Sequence, residues 1–208
     1  MSLDQLQVPR GTALVRLKGP SVARNRNKII EDHFLGDWAC FIDDDQIVPA
    51  NTLLNLLFND RPIVGALYSS KRPPFYPMAF QKFDAATQLW VPYTWTALRN
   101  GPSVRLVAGA GTGGMLIRRD VFDHIPKPWF HWGEFSDDLY FCQKATAAGY
   151  PIYVDTQTPI GHTTTINIWP GVQRPGARLQ LDWLNVEIAD DSVGAAAPRV
   201  ELTGAGGV

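Results

Sequence analysis

The sequence has few cysteines and no long hydrophobic run. Its 208 residues include two cysteines, Cys40 and Cys142, and both lie within apolar segments. Such thiols behave as small buried apolar groups, so they predict neither a disulfide framework nor a cysteine metal site. No stretch approaches the roughly 20 apolar residues of a membrane span. Residues 1–10 have no apolar core, so we expect no signal peptide and predict a cytoplasmic protein.

The chain also lacks an excess of charge of either sign. Its formal net charge is −1 with 45% hydrophobic residues, which argues against nucleic acid as the main partner. A chain of this length can bury one full core, so we predict a single domain over residues 1–185. Residues 186–208 are rich in alanine, glycine and valine without periodicity. We predict a poorly ordered tail there, or an arm on a partner.

The strongest local signal is an apolar run that ends in three carboxylates. Residues 38–42 predict a buried strand, and Asp43, Asp44 and Asp45 follow it directly. Pro49 then opens an apolar-periodic helix. Open α/β sheets bind ligands at the carboxyl ends of their strands. Three adjacent anions repel one another, and a hard cation such as magnesium, calcium or manganese would relieve that repulsion. The alternative interpretation is an acidic turn that only caps the next helix.

Strand and helix signals alternate along much of the chain. Ser21 predicts the cap of a helix from Val22 to about Phe34, whose polar face carries Arg24. Beside the acidic turn this basic face would suit a diphosphate, although a solvated face is the alternative. The other predicted elements are strands at 12–17, 62–68, 105–110, 115–117 and 152–154, a hairpin from 78–83 and 88–95, and helices at 119–125 and 137–148. This order predicts an α/β fold with a mostly parallel central sheet, helices on both faces and a small antiparallel extension from the hairpin.

A glycine-dense turn covers residues 109–114. It lacks the Gly-Lys-Ser/Thr ending of a P-loop, and a strand follows it where a dinucleotide fingerprint needs a helix. Gly113 and Gly114 would let a ligand approach the backbone closely. A tight bend between two core strands explains the same glycines equally well.

Two further groups carry possible chemistry. Asp137 and Asp138 fall in the first turn of a helix capped by Ser136, where the helix dipole favours ionised carboxylates. An ionised carboxylate in a cleft can act as a general base, and ordinary capping is the alternative. His162 follows a strand, and a lone histidine there is more often structural than a ligand.

Taken together, the motifs have a familiar order. They are Asp43-Asp44-Asp45, the segment Gly111 to Arg119, the segment Phe135 to Cys142, the segment Ala148 to Pro151, and His162. This order resembles the GT-A class of nucleotide-sugar glycosyltransferases, especially family-2-like enzymes, over roughly residues 20–165. Such enzymes usually begin with a strand and a loop that cradle the nucleotide base, and the start of this sequence resembles the segment after that strand. The resemblance therefore implies a domain without the usual first strand.

The resemblance implies a role for each acidic group. Asp43 and Asp44 would lie near the nucleotide, and Asp45 would bind a divalent metal together with Asp43 and His162. Imidazole is softer than magnesium prefers, which favours Mn²⁺ over Mg²⁺. In the helix that follows the glycine turn, Asp138 matches the usual general base, with Asp137 beside it.

The resemblance also implies the substrates. A UDP-sugar is the first choice of donor and a GDP-sugar the second, with Arg24, Lys71 and Arg72 as candidate phosphate contacts. The acceptor would be an unidentified hydroxyl on a glycan, protein or small molecule, and transfer would be inverting, with a retaining enzyme as the alternative. An aromatic loop that carries Trp129, Trp132 and Glu134 would form a lid on the acceptor side. Core packing is the alternative for its aromatic residues.

Three other classes compete with this interpretation. An aspartyl phosphatase wants threonine or valine two residues after its second aspartate, where this chain has Ile47. A sugar-1-phosphate nucleotidyltransferase wants a glycine-rich Arg-Lys signature in its first loop, and none is present. A catalytically impaired sugar-nucleotide or glycan-binding module fits the absent first strand. The presence of Asp43, Asp45, Asp138 and His162 together argues against that module.

Overall fold

The computed structural model describes residues 3–72 and 74–164. The predicted domain boundary at residue 185 and the predicted tail over 186–208 lie outside the described residues, and both stay predictions. Within the described part, no helix has the length and the apolar composition needed to cross a membrane.

A five-stranded mixed sheet forms the centre of the fold. Its strands are β1 (Trp38–Ile42), β3 (Ile63–Leu67), β6 (Val104–Val107), β8 (Gly114–Arg118) and β9 (Ile152–Pro159). They lie in the order β1-β8-β3-β9-β6. Because β8 runs antiparallel to both β1 and β3, and β9 runs parallel to β3, the strands β1, β3 and β9 all point the same way. The remaining edge strand, β6, runs antiparallel to β9.

Helices cover both faces of this sheet. They are α1 (Val22–His33), α2 (Thr52–Phe58), α3 (Trp95–Arg99), α4 (Arg119–His124) and α5 (Asp137–Ala147). The predicted cap of α1 is confirmed, since the Ser21 hydroxyl accepts a hydrogen bond from the Arg24 amide at 3.4 Å. The helix expected to open at Pro49 begins at Thr52, after Asn51 at the cap position.

Neighbouring residues of β3 point into different hydrophobic clusters. Ile63 packs in one cluster with residues of α1, α4 and α5, whereas Val64 packs in a second cluster with residues of α2. Alternation of this kind is the strand period of two with both faces buried. The predicted α/β class with helices on both faces is therefore confirmed.

Two small sheets complete the described structure. The predicted hairpin is present as β4 (Ala79–Asp84) and β5 (Leu89–Pro92), and β4 also pairs with β7 (Gly109–Ala110). A second small sheet joins β2 (Gln46–Ile47) to β10 (Gly161–His162). The predicted strand at 12–17 is wrong: this segment is irregular, Leu14 is 63% exposed, and none of the described strands pairs with it.

Candidate functional site

Three loops meet where β1 and β3 leave the central sheet. Ile42 of β1 pairs with Gly114 of β8, so the acidic turn lies directly beside the glycine turn. The Asp43 amide donates to the Gly113 carbonyl at 3.2 Å. Tyr68 follows β3, and its hydroxyl accepts a hydrogen bond from the Gly113 amide at 3.0 Å. The sheet topology therefore brings the acidic turn and the glycine turn together at the same end of the sheet.

Arg26 joins the acidic turn to the start of α5. Its side chain is buried on the inner face of α1. One guanidinium nitrogen donates to Asp137 Oδ2 at 2.7 Å and to Asp138 Oδ1 at 2.6 Å. The other terminal nitrogen donates to Asp43 Oδ1 at 2.8 Å. A single cation therefore holds together carboxylates from two distant parts of the sequence.

The charge pattern of α1 predicts one basic polar face, with Arg24 as a candidate phosphate contact. In the structure Arg24 is exposed and Arg26 is buried, so the basic residues of α1 do not share one face. The phosphate contact of Arg24 stays a prediction. A signal was present in the sequence. Ala23, Arg26 and Ile30 have helical spacing and are the three buried residues of α1, so the arginine interrupts an apolar stripe. A charge on the buried face of a helix needs a partner, and here it has three.

Burial and charge act in opposite directions on the ionisable groups of this cluster. Burial lowers the pKa of Arg26, but Asp138, Asp43 and Asp137 outweigh it and raise that pKa above its ordinary value. Burial also raises the pKa of Asp43, and Arg26 only partly opposes the increase. The pKa of Asp138 is raised in the same way, chiefly by burial and against the effect of Arg26. The cluster therefore combines a permanent cation with two carboxyl groups that bind protons more readily than usual.

Asp138 is positioned from two sides. Its Oδ1 accepts hydrogen bonds from Arg26 and from the hydroxyl of Thr112, which is fully buried in the glycine turn. Its Oδ2 accepts no hydrogen bond from any residue in 3–72 or 74–164, and the side chain is 16% exposed. Thr112, a residue of the glycine turn for which the sequence predicts no role, therefore fixes the carboxylate while one oxygen stays available for a proton.

A second group lies at the end of the acidic turn. The pairing of β2 with β10 sets His162 opposite Gln46, one residue beyond Asp45. His162 Nε2 lies 3.5 Å from Asp45 Oδ1. His162 Nδ1 lies 2.7 Å from the Ser69 carbonyl. Because a carbonyl can only accept, Nδ1 carries the proton in the neutral ring, and the lone pair of Nε2 faces the carboxylate.

This arrangement suits a cation. Asp45 Oδ1 is buried and has no hydrogen-bond partner among the described residues, and His162 Nε2 lies 3.5 Å from it. A metal-binding histidine typically donates its other ring N–H to a carbonyl or carboxylate, as His162 does toward Ser69. The residues present therefore fit a divalent ion, with two protein ligands.

The described residues contain no group of three or more histidine, cysteine, aspartate or glutamate side chains that could hold a metal ion. Asp43 is engaged through Oδ1 with Arg26. The three-ligand set of Asp43, Asp45 and His162 therefore stays a prediction. A two-ligand site leaves positions for phosphate oxygens and water, which is how magnesium-type ions are often held at phosphate sites.

The candidate phosphate contacts Arg24, Lys71 and Arg72 differ in their surroundings. Lys71 donates through Nζ to Asp45 Oδ2. Arg72 and Asp44 are exposed. Arg24 borders an open groove of about 490 Å³ between α1 and the aromatic loop. Lys71 is therefore the candidate that reaches the acidic turn.

The aromatic loop divides into a buried part and an exposed part. The Trp129 indole N–H donates to the carbonyls of Phe122 and Ile125, both at 3.0 Å, and the side chain is 6% exposed. The interpretation of Trp129 as part of a lid is therefore wrong, because its ring belongs to the core. Trp132 is 69% exposed at the groove, and Glu134 is exposed. Their role in acceptor binding stays a prediction.

The two glycines chosen from the turn differ in surroundings. A Cβ on Gly113 would lie 2.8 Å from Gln46 Nε2 and 3.0 Å from Asp43 Oδ2, so this glycine keeps space open at the acidic turn. A Cβ on Gly114 would lie 2.4 Å from Ile160 Cδ1, which is a core contact. Only Gly113 therefore borders the carboxylates.

Comparisons with known proteins identify the fold. A scan against models of protein families finds no match, and a search of curated protein sequences finds none either. Among solved structures, A197 from STIV is 17% identical with a TM-score of 0.50, and the match covers 70% of this chain and 69% of that protein. GalNAc-T7, solved with UDP, GalNAc and Mn²⁺, is 18% identical with a TM-score of 0.51, and the match covers 69% of this chain and 30% of that protein. Identities this low establish the fold alone, and they support the GT-A architecture expected from the sequence.

Proposed function

We propose that this protein is a metal-dependent glycosyltransferase, family-2-like, that moves a sugar from a nucleoside-diphosphate donor to a hydroxyl acceptor. The observation that carries the proposal is the Arg26 cluster. It joins Asp43 of the acidic turn to Asp137 and Asp138 at the start of α5. The Asp45–His162 pair lies at the other end of the same acidic turn. A glycosyl transfer needs these two functions side by side, namely a group that takes a proton and a site that neutralises a diphosphate.

In the proposed reaction, Asp138 acts on the acceptor. The acceptor oxygen attacks the anomeric carbon, its proton passes to Asp138 Oδ2, and the bond from that carbon to the diphosphate oxygen breaks. Arg26 and Thr112 hold Oδ1, so the second carboxylate oxygen points in a fixed direction. A positioned base of this kind typically contributes about 10²–10⁴-fold to the rate.

Asp45 and His162 would hold the metal ion, and Asp43 would lie against the nucleotide. The bound ion would act as a Lewis acid that neutralises the departing nucleoside diphosphate. Mn²⁺ is the first choice because one of the two ligands is an imidazole. The UDP and Mn²⁺ present in the GalNAc-T7 structure support testing UDP-sugars before GDP-sugars.

Titration calorimetry of UDP with and without Mn²⁺ tests the donor site. We expect UDP to bind in the presence of Mn²⁺ and to bind much more weakly without it. We expect the Asp45→Ala variant to bind UDP with the same weak affinity in both conditions. A panel of UDP- and GDP-sugars in a thermal-unfolding assay would then identify the donor, because a ligand that binds only the native state raises its apparent stability. Equal UDP affinity with and without the ion, or no response to any nucleotide sugar, would reject this function.

One observation favours a second candidate, a sugar-nucleotide or glycan-binding module without catalysis. In the structure all three carboxylates of the cluster are engaged by Arg26. Hydrolysis of the donor sugar in the presence of Mn²⁺ separates the two candidates. An enzyme transfers the sugar slowly to water, whereas a binding module leaves the nucleotide sugar intact.

Alanine substitutions at the two turn glycines give a matched pair of predictions. Gly114→Ala overpacks the core against Ile160, and we expect it to lower the free energy of unfolding by about 1–3 kcal/mol. Gly113→Ala places its Cβ against side-chain ends that can move, so we expect little loss of stability but a UDP–Mn²⁺ affinity reduced about tenfold by displacement of Asp43. Chemical denaturation and calorimetry on both variants measure the two effects. A Gly113→Ala variant that binds like the parent would contradict the placement of Asp43 at the nucleotide.

A further inference from the structure

Lys71 contacts one carboxylate oxygen of Asp45, and His162 lies near the other. Its Nζ donates to Asp45 Oδ2, while His162 Nε2 lies 3.5 Å from Oδ1. The Lys71 side chain is 47% exposed and the Asp45 side chain 26% exposed. In the structure, a lysine ammonium therefore supplies positive charge to Asp45, as a metal ion there would.

We propose that Lys71 is an exchangeable cation: it neutralises Asp45 in the free protein and moves to the diphosphate when the nucleotide and the ion arrive. The inference rests on the proposed function and adds a coupling that this function does not require. While the ammonium is on Asp45, an incoming ion meets a neutralised carboxylate and a neighbouring positive charge. The nucleotide removes this obstacle, because its phosphates offer Lys71 another anion. Ion and nucleotide then bind as a pair, and the ion alone binds weakly.

The anchoring of the Lys71 loop permits this exchange. The Lys71 carbonyl accepts a hydrogen bond from the Thr164 hydroxyl at 3.1 Å, and the Ser69 carbonyl accepts one from His162 Nδ1 at 2.7 Å. The backbone is thus tied to the segment that carries His162. The lysine side chain beyond it is a flexible four-carbon stem with a compact charge, so Nζ can change partner without a backbone movement.

Arg26 cannot make the same change. It is 5% exposed, and its two terminal nitrogens are engaged by three carboxylates. Taking this guanidinium away would leave the buried Asp137 and the largely buried Asp138 without a counter-charge, which is strongly unfavourable. The site therefore has a fixed cation at one end of the acidic turn and an exchangeable cation at the other.

Binding of Mn²⁺ in the absence of nucleotide tests the proposal. Electron paramagnetic resonance counts free Mn²⁺ directly, so the readout does not depend on activity. We expect Lys71→Met to bind Mn²⁺ alone about tenfold more tightly than the parent, since Asp45 loses its competing cation. The same variant should bind UDP with Mn²⁺ several-fold more weakly, because the diphosphate loses a contact.

Lys127→Met is the matched control. Lys127 is also a partly exposed lysine in an ion pair, 3.1 Å from Glu31, and its removal changes the net charge by the same amount. We expect it to bind Mn²⁺ like the parent. Mn²⁺ binding by Lys71→Met that equals or falls below that of the parent, including no measurable binding in either, overturns the inference. Failure of the parent to bind UDP with Mn²⁺ would instead reject the proposed function. The comparison of Mn²⁺ binding without nucleotide between the parent and Lys71→Met would still test the role of Lys71.

Discussion

Arg26→Met should lower the free energy of unfolding by about 3–5 kcal/mol, the usual cost of removing one partner from a buried ion pair. The methionine fills much of the same space, but Asp43, Asp137 and Asp138 then face one another without a counter-charge. Arg24→Met is the matched control, since it lies two residues away on the same helix and is exposed. We expect the control to change stability by less than about 0.5 kcal/mol. Chemical denaturation of the three proteins at one pH measures the difference.

The loss caused by Arg26→Met should depend on pH. Burial raises the pKa of Asp43 and of Asp138, and Arg26 partly opposes that increase, so its removal raises both pKa values further. A carboxyl whose folded pKa exceeds its unfolded pKa loses stability as pH rises between the two values. We therefore expect the variant to be less destabilised at pH 5 than at pH 8. An equal loss at both pH values would mean that packing, rather than charge, accounts for the role of Arg26.

The positions of the carboxylates were predictable because they depend on local patterns. An apolar strand that ends in Asp43 and a capped helix that begins at Asp137 both follow from the chemistry of a few neighbouring residues. The α/β topology then brings strand ends and helix starts to one edge of the sheet. The glycine turn beside the acidic turn follows from the same topology, through the pairing of Ile42 with Gly114.

The pairing of side chains was not predictable in the same way. Arg26 and Asp137 are 111 residues apart in the sequence, so no local pattern connects them. The basic residues of α1, taken together, predict one solvated face. The helical spacing of Ala23, Arg26 and Ile30 instead puts Arg26 on the buried side of the helix. Trp129 and Trp132 show the same limit, since they are three residues apart in one loop and only the first is buried. Burial of a loop residue depends on the elements that pack against it, and composition does not specify them.

Asp138→Asn should reduce sugar transfer by at least about 100-fold while leaving UDP and Mn²⁺ binding nearly unchanged. The amide keeps the shape of the side chain, and its carbonyl oxygen can still accept from Arg26 and Thr112. It cannot take the proton of the acceptor. A loss confined to kcat, with donor affinity retained by calorimetry, is the result expected of a base. A loss of donor binding would instead assign Asp138 to the nucleotide site.

The pH profile provides a second test of Asp138. Burial raises the pKa of Asp138, so the ionised form that accepts a proton increases as pH rises through that value. The parent rate should therefore show an acidic limb at a higher pH than an ordinary aspartate gives, and the residual rate of Asp138→Asn should lack it.

The product gives a third test, because a base that activates the acceptor on the face opposite the diphosphate inverts the anomeric carbon. A product that retains the donor configuration, or an Asn variant that transfers at the parental rate, would exclude Asp138 as the base.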